Sequence, residues 1–74
     1  MYLNNIKNNE YYIVDKINTN EKVKRRLYDI GLIKDSKIKL LYKSPSTKIK
    51  AYLIKDSIIA IRNSDAENIE VYDD

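Results

Sequence analysis

Apolar and polar residues alternate along the middle and the end of this chain. The alternation falls in two stretches, with Ile38, Leu40 and Tyr42 within residues 37–43 and Ile49, Ala51 and Leu53 within residues 48–54. A period of two is typical of β-strands that bury one face. Ser44-Pro45-Ser46-Thr47 separates the two stretches and predicts a hairpin turn, because proline lacks the N–H that a strand interior needs.

Three more stretches have strand character. A strand at 57–62 follows after only Lys55-Asp56, a spacing that suits a tight hairpin turn. Residues 10–17 place Tyr11 and Ile13 on one face and Tyr12 and Val14 on the other, and residues 68–72 place Ile69 and Val71 on one face. Five short strands with apolar residues on both faces predict a sheet that curls into a small barrel, since closure removes exposed edges.

One segment breaks the period of two. Val23, Leu27 and Ile30 recur at the spacing that forms one stripe of a helix. Asn20 is a suitable N-cap and Gly31 suits the left-handed position just after a helix. The pattern therefore predicts one short α-helix at about residues 20–30, with Val23, Leu27 and Ile30 facing the core.

The size and composition limit what else the chain contains. Its 74 residues predict a single domain, 1–74, and the absence of cysteine leaves packing alone to hold it together. Without a disulfide framework, a signal-peptide pattern or a long apolar run, we expect a soluble cytoplasmic protein with no membrane insertion. The first ten residues and Asp73-Asp74 are expected to fray.

The side chains that catalysis requires are scarce. The chain has no histidine, no cysteine and one glycine, which excludes the common nucleophile–base pairs, soft-metal sites and glycine-rich phosphate loops. Asp65 and Glu67 are expected in a solvated turn, where Arg62 is placed to pair with Asp65 or with backbone carbonyls of the turn. We therefore expect no enzyme activity, no catalytic residue, no metal site and no cofactor.

The order of features along the chain resembles the FeoA family of ferrous-iron transport accessory proteins. The resemblance rests on Arg26-Leu27-Tyr28-Asp29-Ile30-Gly31-Leu32, on Ile38 and Ser44-Pro45, on the ending from Ile59 to Val71, and on the opening Met1-Tyr2-Leu3 with Ile6 and Tyr11-Tyr12-Ile13. Where the family pattern has glycine in turns, this chain has Asn9, Asp35 and Asp56. Since Asn and Asp tolerate positive φ best among the other residues, all three are predicted to be left-handed.

The resemblance implies an SH3-like β-barrel without bound iron that acts in the cytoplasm beside FeoB, the ferrous-iron permease with a cytosolic GTP-binding domain. Binding of a partner protein is thus the first functional hypothesis. Its candidate contact residues are Lys24, Arg25, Arg26, Tyr28 and Tyr52, with Lys22 and Tyr42 as further exposed candidates. The basic residues also fit an ordinary solvated helix face, the tyrosines also fit the core, and weak self-association stays open.

Two other functions fit parts of the pattern. A small barrel with aromatic residues and a Lys/Arg cluster is typical of nucleic-acid binding, but the net charge of only +3 argues against it, and we expect no nucleic-acid partner. The C-terminal barrel of metal-dependent repressors is also similar in sequence. Because no DNA-binding or metal-binding domain precedes this barrel in the sequence, a stand-alone role is expected.

Overall fold

A computed structural model describes residues 1–43 and 48–74, with Lys43 described by its backbone alone. The predicted turn at Ser44-Thr47 lies outside the described residues. Within them the chain forms a 3₁₀ turn at Leu3–Asn5, two helices and five strands. The strands are β1 (Tyr11–Ile17), β2 (Lys37–Lys43), β3 (Ile49–Ile54), β4 (Ser57–Arg62) and β5 (Ile69–Asp73), and the helices are α1 (Glu21–Asp29) and α2 (Asn63–Ala66).

The five strands form one antiparallel sheet in the order β4-β3-β2-β1-β5. The N-terminal segment lies against both halves of it, through bridges from Tyr2 to Glu70 and from Asn8 to Leu40. The predictions of a mainly β fold with five antiparallel strands and of one helix at about 20–30 are confirmed.

Alternation decides which side chains reach the interior. On β1, Tyr12 and Val14 are buried while Tyr11 is exposed. On β3 the inward set is Tyr52 and Ile54, so the alternating Ile49, Ala51 and Leu53 mark the outer face of that strand. Among the described residues, sixteen apolar side chains make up the core: Leu3, Ile6, Tyr12, Val14, Ile17, Val23, Leu27, Leu32, Ile38, Leu40, Tyr52, Ile54, Ile61, Ala66, Ile69 and Val71.

A register shift interrupts the alternation on β2. The pairing of β2 with β3 slips between Leu40 and Tyr42. One extra residue turns the following side chains to the opposite face. Leu40 is consequently buried, whereas Tyr42 is 60% exposed although it continues the apolar spacing of Ile38 and Leu40.

Helix α1 begins and ends as its sequence predicts. The Asn20 side chain accepts a hydrogen bond from the Val23 N–H at 2.9 Å. At the other end the Gly31 N–H donates to the Tyr28 carbonyl and the Leu32 N–H donates to the Leu27 carbonyl. This pair of bonds is a Schellman motif, and it requires the left-handed φ of +94° that Gly31 adopts. The motif carries the chain directly from the helix into the core at Leu32.

The predicted left-handed turn residues are confirmed, since Asn9, Asp35 and Asp56 have φ values of 62°, 73° and 65°. Lys55 is also left-handed, at 49°, which the sequence did not indicate. Two consecutive left-handed residues define the tight hairpin turn that matches the twist of its strands. The turn between β3 and β4 is therefore of this type.

Three local predictions are wrong. Leu3 is fully buried and Ile6 is 6% exposed, so the N-terminal segment is part of the core and not a frayed end. Residues 63–66 form the single-turn helix α2 in place of a solvated turn. Ile30 is 42% exposed, because it is the C-cap of α1 and has already left the helical path on which Val23 and Leu27 face inward.

Candidate docking surface beside the helix

The predicted contact residues of the helix do not form one cluster. Arg25, Arg26 and Tyr28 are exposed and Lys24 is half-buried. Lys24 and Tyr28, one turn apart, line a shallow depression against β1 together with Asp15 and Lys34. Arg26 lies on another side of the helix and lines a different groove, and Arg25 lines neither. The fold thus divides the predicted basic surface into two parts.

Tyr52 does not belong to any contact surface. Its side chain is fully buried, so its prediction as a partner-binding residue is wrong. Its hydroxyl has no hydrogen-bond partner among the described residues. Burial away from water raises the pKa of Tyr52 from 10.0 to about 12, because the charged phenolate is disfavoured there. Tyr52 is therefore a core residue.

The groove beside Arg26 separates α1 from strand β4. It has a volume of about 390 Å³ and is lined by both apolar and charged side chains. Helix α1 supplies one wall, and the end of β4 with the start of α2 supplies the other. The lining residues are Arg26, Leu27, Ile30, Ala60, Ile61, Arg62 and Asp65. An open apolar groove of this kind fits part of another protein better than a small charged molecule.

Two of the charged residues that line the groove form an ion pair with each other. The Arg62 guanidinium donates from Nε to the Asp65 carboxylate at 3.1 Å, and its Nη2 lies 3.0 Å from the same oxygen. The predicted pairing of Arg62 with Asp65 is confirmed. In the described part of the chain, Arg26 has no ion-pair partner. The Arg26 guanidinium therefore gives the groove one positive charge that no carboxylate among the described residues neutralises.

A second apolar region lies on the outer face of the sheet and was not predicted as a site. Ile58 and Leu53 are directly opposite each other on β4 and β3, and Ile58 is 63% exposed. Ile49, opposite Arg62, borders a depression of about 620 Å³ at the start of α2. The sequence signal was present, since Ile58-Ile59-Ala60-Ile61 places apolar residues on both faces of one strand.

The described residues offer little for other chemistry. No cluster of three or more histidine, cysteine, aspartate or glutamate side chains suited to a metal ion occurs in residues 1–43 and 48–74. None of the helices in that part of the chain is long and apolar enough to cross a membrane. The geometry at hand is that of a small barrel with a groove open to a partner.

The fold is a small, mainly β barrel of the SH3-like class. The FeoA domain model matches residues 1–73. The solution structure of FeoA from Chlorobium tepidum superposes with a TM-score of 0.91 at 28% identity, covering 97% of this chain and 69% of that chain. The chain belongs to the FeoA family.

Two further structures share the fold. FeoA of Stenotrophomonas maltophilia, solved with zinc and described as an SH3 domain protein, has a TM-score of 0.80 at 21% identity, covering 96% of this chain and 88% of that one. A manganese-dependent transcriptional repressor has a TM-score of 0.88 at 18% identity, covering 99% of this chain and 41% of the repressor. At these identities the likeness concerns the fold alone. No curated protein sequence matches the chain.

Proposed function

We propose that this chain is a cytoplasmic accessory protein of ferrous-iron uptake that acts without catalysis, by binding the cytosolic GTP-binding region of the permease FeoB. The observation that carries the proposal is the FeoA family match over residues 1–73, which spans the helix, the groove and every strand. The Stenotrophomonas maltophilia relative is described as possibly acting as a ferrous iron transport activating factor. In this proposal residues 1–74 act as one FeoA-like unit.

The surface of the barrel supports a docking role. The exposed apolar side chain of Ile30 lines the groove, where Arg26 contributes a free positive charge. Interfaces commonly combine an apolar centre with a charged rim. Lys24, Arg25, Arg26 and Tyr28 remain candidate contact residues in this proposal, and Tyr52 is excluded from it by its burial.

The test is a direct binding measurement between the purified chain and the GTP-binding domain of the permease from the same organism. We expect saturable one-to-one binding by isothermal titration calorimetry that weakens as salt rises, because charged residues border the apolar surface. The parallel titration uses a mixed-sequence single-stranded DNA. Absence of binding to the permease domain at low salt, with full-length permease also failing to retain the chain, would reject the proposal.

Nucleic-acid binding is the alternative that this experiment separates. A steep loss of DNA affinity with salt would indicate phosphate contacts and favour it. The fold gives one reason to expect little DNA binding. The Lys39 ammonium lies 4.7 Å from the centre of the Tyr11 ring, so a basic group already occupies one exposed aromatic face on which a base would otherwise stack.

A further inference from the structure

We infer that the groove between α1 and β4 takes an extended, acidic segment of the partner, which adds to the sheet as a strand beside β4. The inference rests on the proposed function, since it takes the partner segment to belong to the cytosolic region of the permease. It adds the binding mode, the site and the chemistry of the segment. The observations that carry it are the free edge of β4, the wall that α1 places opposite, and the charge of Arg26.

The register of the β3–β4 hairpin shows which backbone groups of β4 are free. Ile54 and Ser57 close the two-residue turn, and the closing pair of such a turn is hydrogen-bonded. Hydrogen-bonded pairs alternate along an antiparallel ladder, so Ser57, Ile59 and Ile61 bond to β3. The Asn63 N–H continues this series by donating to the Lys48 carbonyl. Ile58, Ala60 and Arg62 consequently direct their N–H and C=O groups away from β3.

No strand receives those groups. β4 is the last strand in the sheet order, and none of the other backbone hydrogen bonds among the described residues involves Ile58, Ala60 or the N–H of Arg62, whose C=O belongs to the N-cap of α2. An exposed edge of this kind is a template for pairing with another chain. Proteins commonly protect such edges with lysine or proline, but between Ser57 and Ile61 this strand has no charged residue and no proline.

Helix α1 limits what can pair with this edge. Its residues Arg26, Leu27 and Ile30 form the opposite wall of the groove. Near the start of β4 the aliphatic part of Lys55 lies 3.6 Å from the position that a Cβ on Gly31 would occupy, so the hairpin turn contacts the end of the helix. Arg62 and Asp65 also line the groove. An extended segment that pairs with this edge would therefore lie between the helix and the strand.

The dimensions and charges define that segment. From Ile58 to Arg62 an extended chain rises about 13 Å, which corresponds to a segment of about five residues. Its apolar side chains would pack on Leu27 and Ile30, which line the groove. Because Asp65 is already paired with Arg62, the unpaired Arg26 favours a carboxylate in the segment. The segment is therefore extended, partly apolar and acidic.

The experiment measures binding of the permease GTP-binding domain, and of short overlapping peptides from it, to matched variants of this chain. Arg26→Glu reverses the charge that lines the groove, and its control is Arg25→Glu, an identical change one residue away that does not line it. We expect Arg26→Glu to weaken binding about tenfold or more and Arg25→Glu to change it less than threefold. Ala60→Pro removes one free edge N–H and is expected to weaken binding with Arg25 and Arg26 intact.

Amide hydrogen exchange on the wild-type complex gives a second measurement that needs no variant to fold. The Ala60 and Arg62 amides should become protected when the domain or its peptide binds, while those of Ile59 and Ile61 are protected from the start. If the domain binds but these two amides keep exchanging, or if Arg25→Glu and Arg26→Glu weaken binding equally, the groove is not the site and the proposed function still stands. If the wild-type chain does not bind the domain, the proposed function fails and this inference fails with it.

Discussion

Tyr52 brings a polar atom into the core of the barrel. The side chain is fully buried, and its hydroxyl has no hydrogen-bond partner among the described residues. An unsatisfied buried hydroxyl lowers the stability of the fold by about 1–3 kcal/mol relative to a satisfied one. The ring itself fills core volume, so its apolar part contributes to stability while its oxygen reduces it.

Replacing Tyr52 by phenylalanine should therefore stabilise the protein. The change removes the hydroxyl and keeps the ring, and we expect the free energy of unfolding to rise by about 1 kcal/mol. Urea denaturation followed by circular dichroism measures this, since the chain has no tryptophan. Tyr42→Phe is the matched control, because Tyr42 is 60% exposed and its hydroxyl reaches water. A loss of stability in Tyr52→Phe would show that the hydroxyl has a stabilising partner.

The same residue predicts a dependence of stability on alkaline pH. The folded state raises the pKa of Tyr52 to about 12 from 10.0, so it holds the proton more tightly than the unfolded state. Below pH 10 Tyr52 is protonated in both states, so it adds no pH dependence to the free energy of unfolding. Between pH 10 and about 12, unfolding releases a proton, and stability falls as pH rises. The Tyr52→Phe variant should show a shallower decline over this range in urea denaturation. Identical declines would contradict the raised pKa.

At the scale of elements, the helix depends on how it ends. Gly31 has a φ of +94°, a conformation that side-chain-bearing residues rarely adopt. The nearest atom to a Cβ placed there is in the Lys55 side chain at 3.6 Å, an ordinary contact. Any cost of substitution therefore comes from the backbone conformation and not from a clash.

Gly31→Ala should lower the free energy of unfolding by about 1–2 kcal/mol, because alanine disfavours the left-handed region. Asn9→Gly is the control at another left-handed position, with a φ of 62°, where the native residue already tolerates the conformation. We expect its effect to stay within about 0.5 kcal/mol. Thermal denaturation of both variants compares them, and equal effects would argue against a conformational origin.

Features of the fold that depend on local sequence were predictable, and features that depend on tertiary pairing were not. Local signals sufficed for α1, whose limits follow from Asn20 and Gly31, and for the left-handed turns at Asn9, Asp35 and Asp56. They failed where tertiary pairing overrode the local pattern. Tyr42 continues an apolar alternation, yet the register shift on β2 turns it outward, and the run Asn63–Ala66 became a helix because it packs Ala66 into the core.

The candidate site was predictable only in part. A basic helix face was evident in the sequence, but which of Lys24, Arg25 and Arg26 faces a groove depends on where β4 lies. Tyr52 could not be separated from the exposed tyrosines by composition. Its position opposite Ile59 in the β3–β4 register places it on the inner face, and that register is a tertiary property. Ile30, predicted to face the core, lines the groove together with Ala60.

At the scale of the whole molecule, the N-terminal segment completes the barrel. Leu3 is fully buried, the Tyr2–Glu70 bridge joins the segment to β5, and the Val71 N–H donates to the Met1 carbonyl at 2.8 Å. The first residues thus cover the end of the core that β1 and β5 leave open. A small domain has little stability to spare, so contacts from a few residues matter.

Leu3→Ala should lower the free energy of unfolding by about 2–4 kcal/mol, because it removes a buried side chain and leaves a cavity. Ile33→Ala, at a 42% exposed position, is the control and should cost much less. Chemical denaturation measures both. A Leu3→Ala variant as stable as the wild type would mean that the segment is detached from the core in solution.

The attachment of α1 has a dynamic consequence. Val23 and Leu27 are the buried side chains of this helix among the described residues, and no ladder of backbone hydrogen bonds joins it to a strand. Such an element opens at a lower free energy than the sheet on which it rests. Movement of α1 would let the groove widen or narrow around a bound segment while the five strands stay in place.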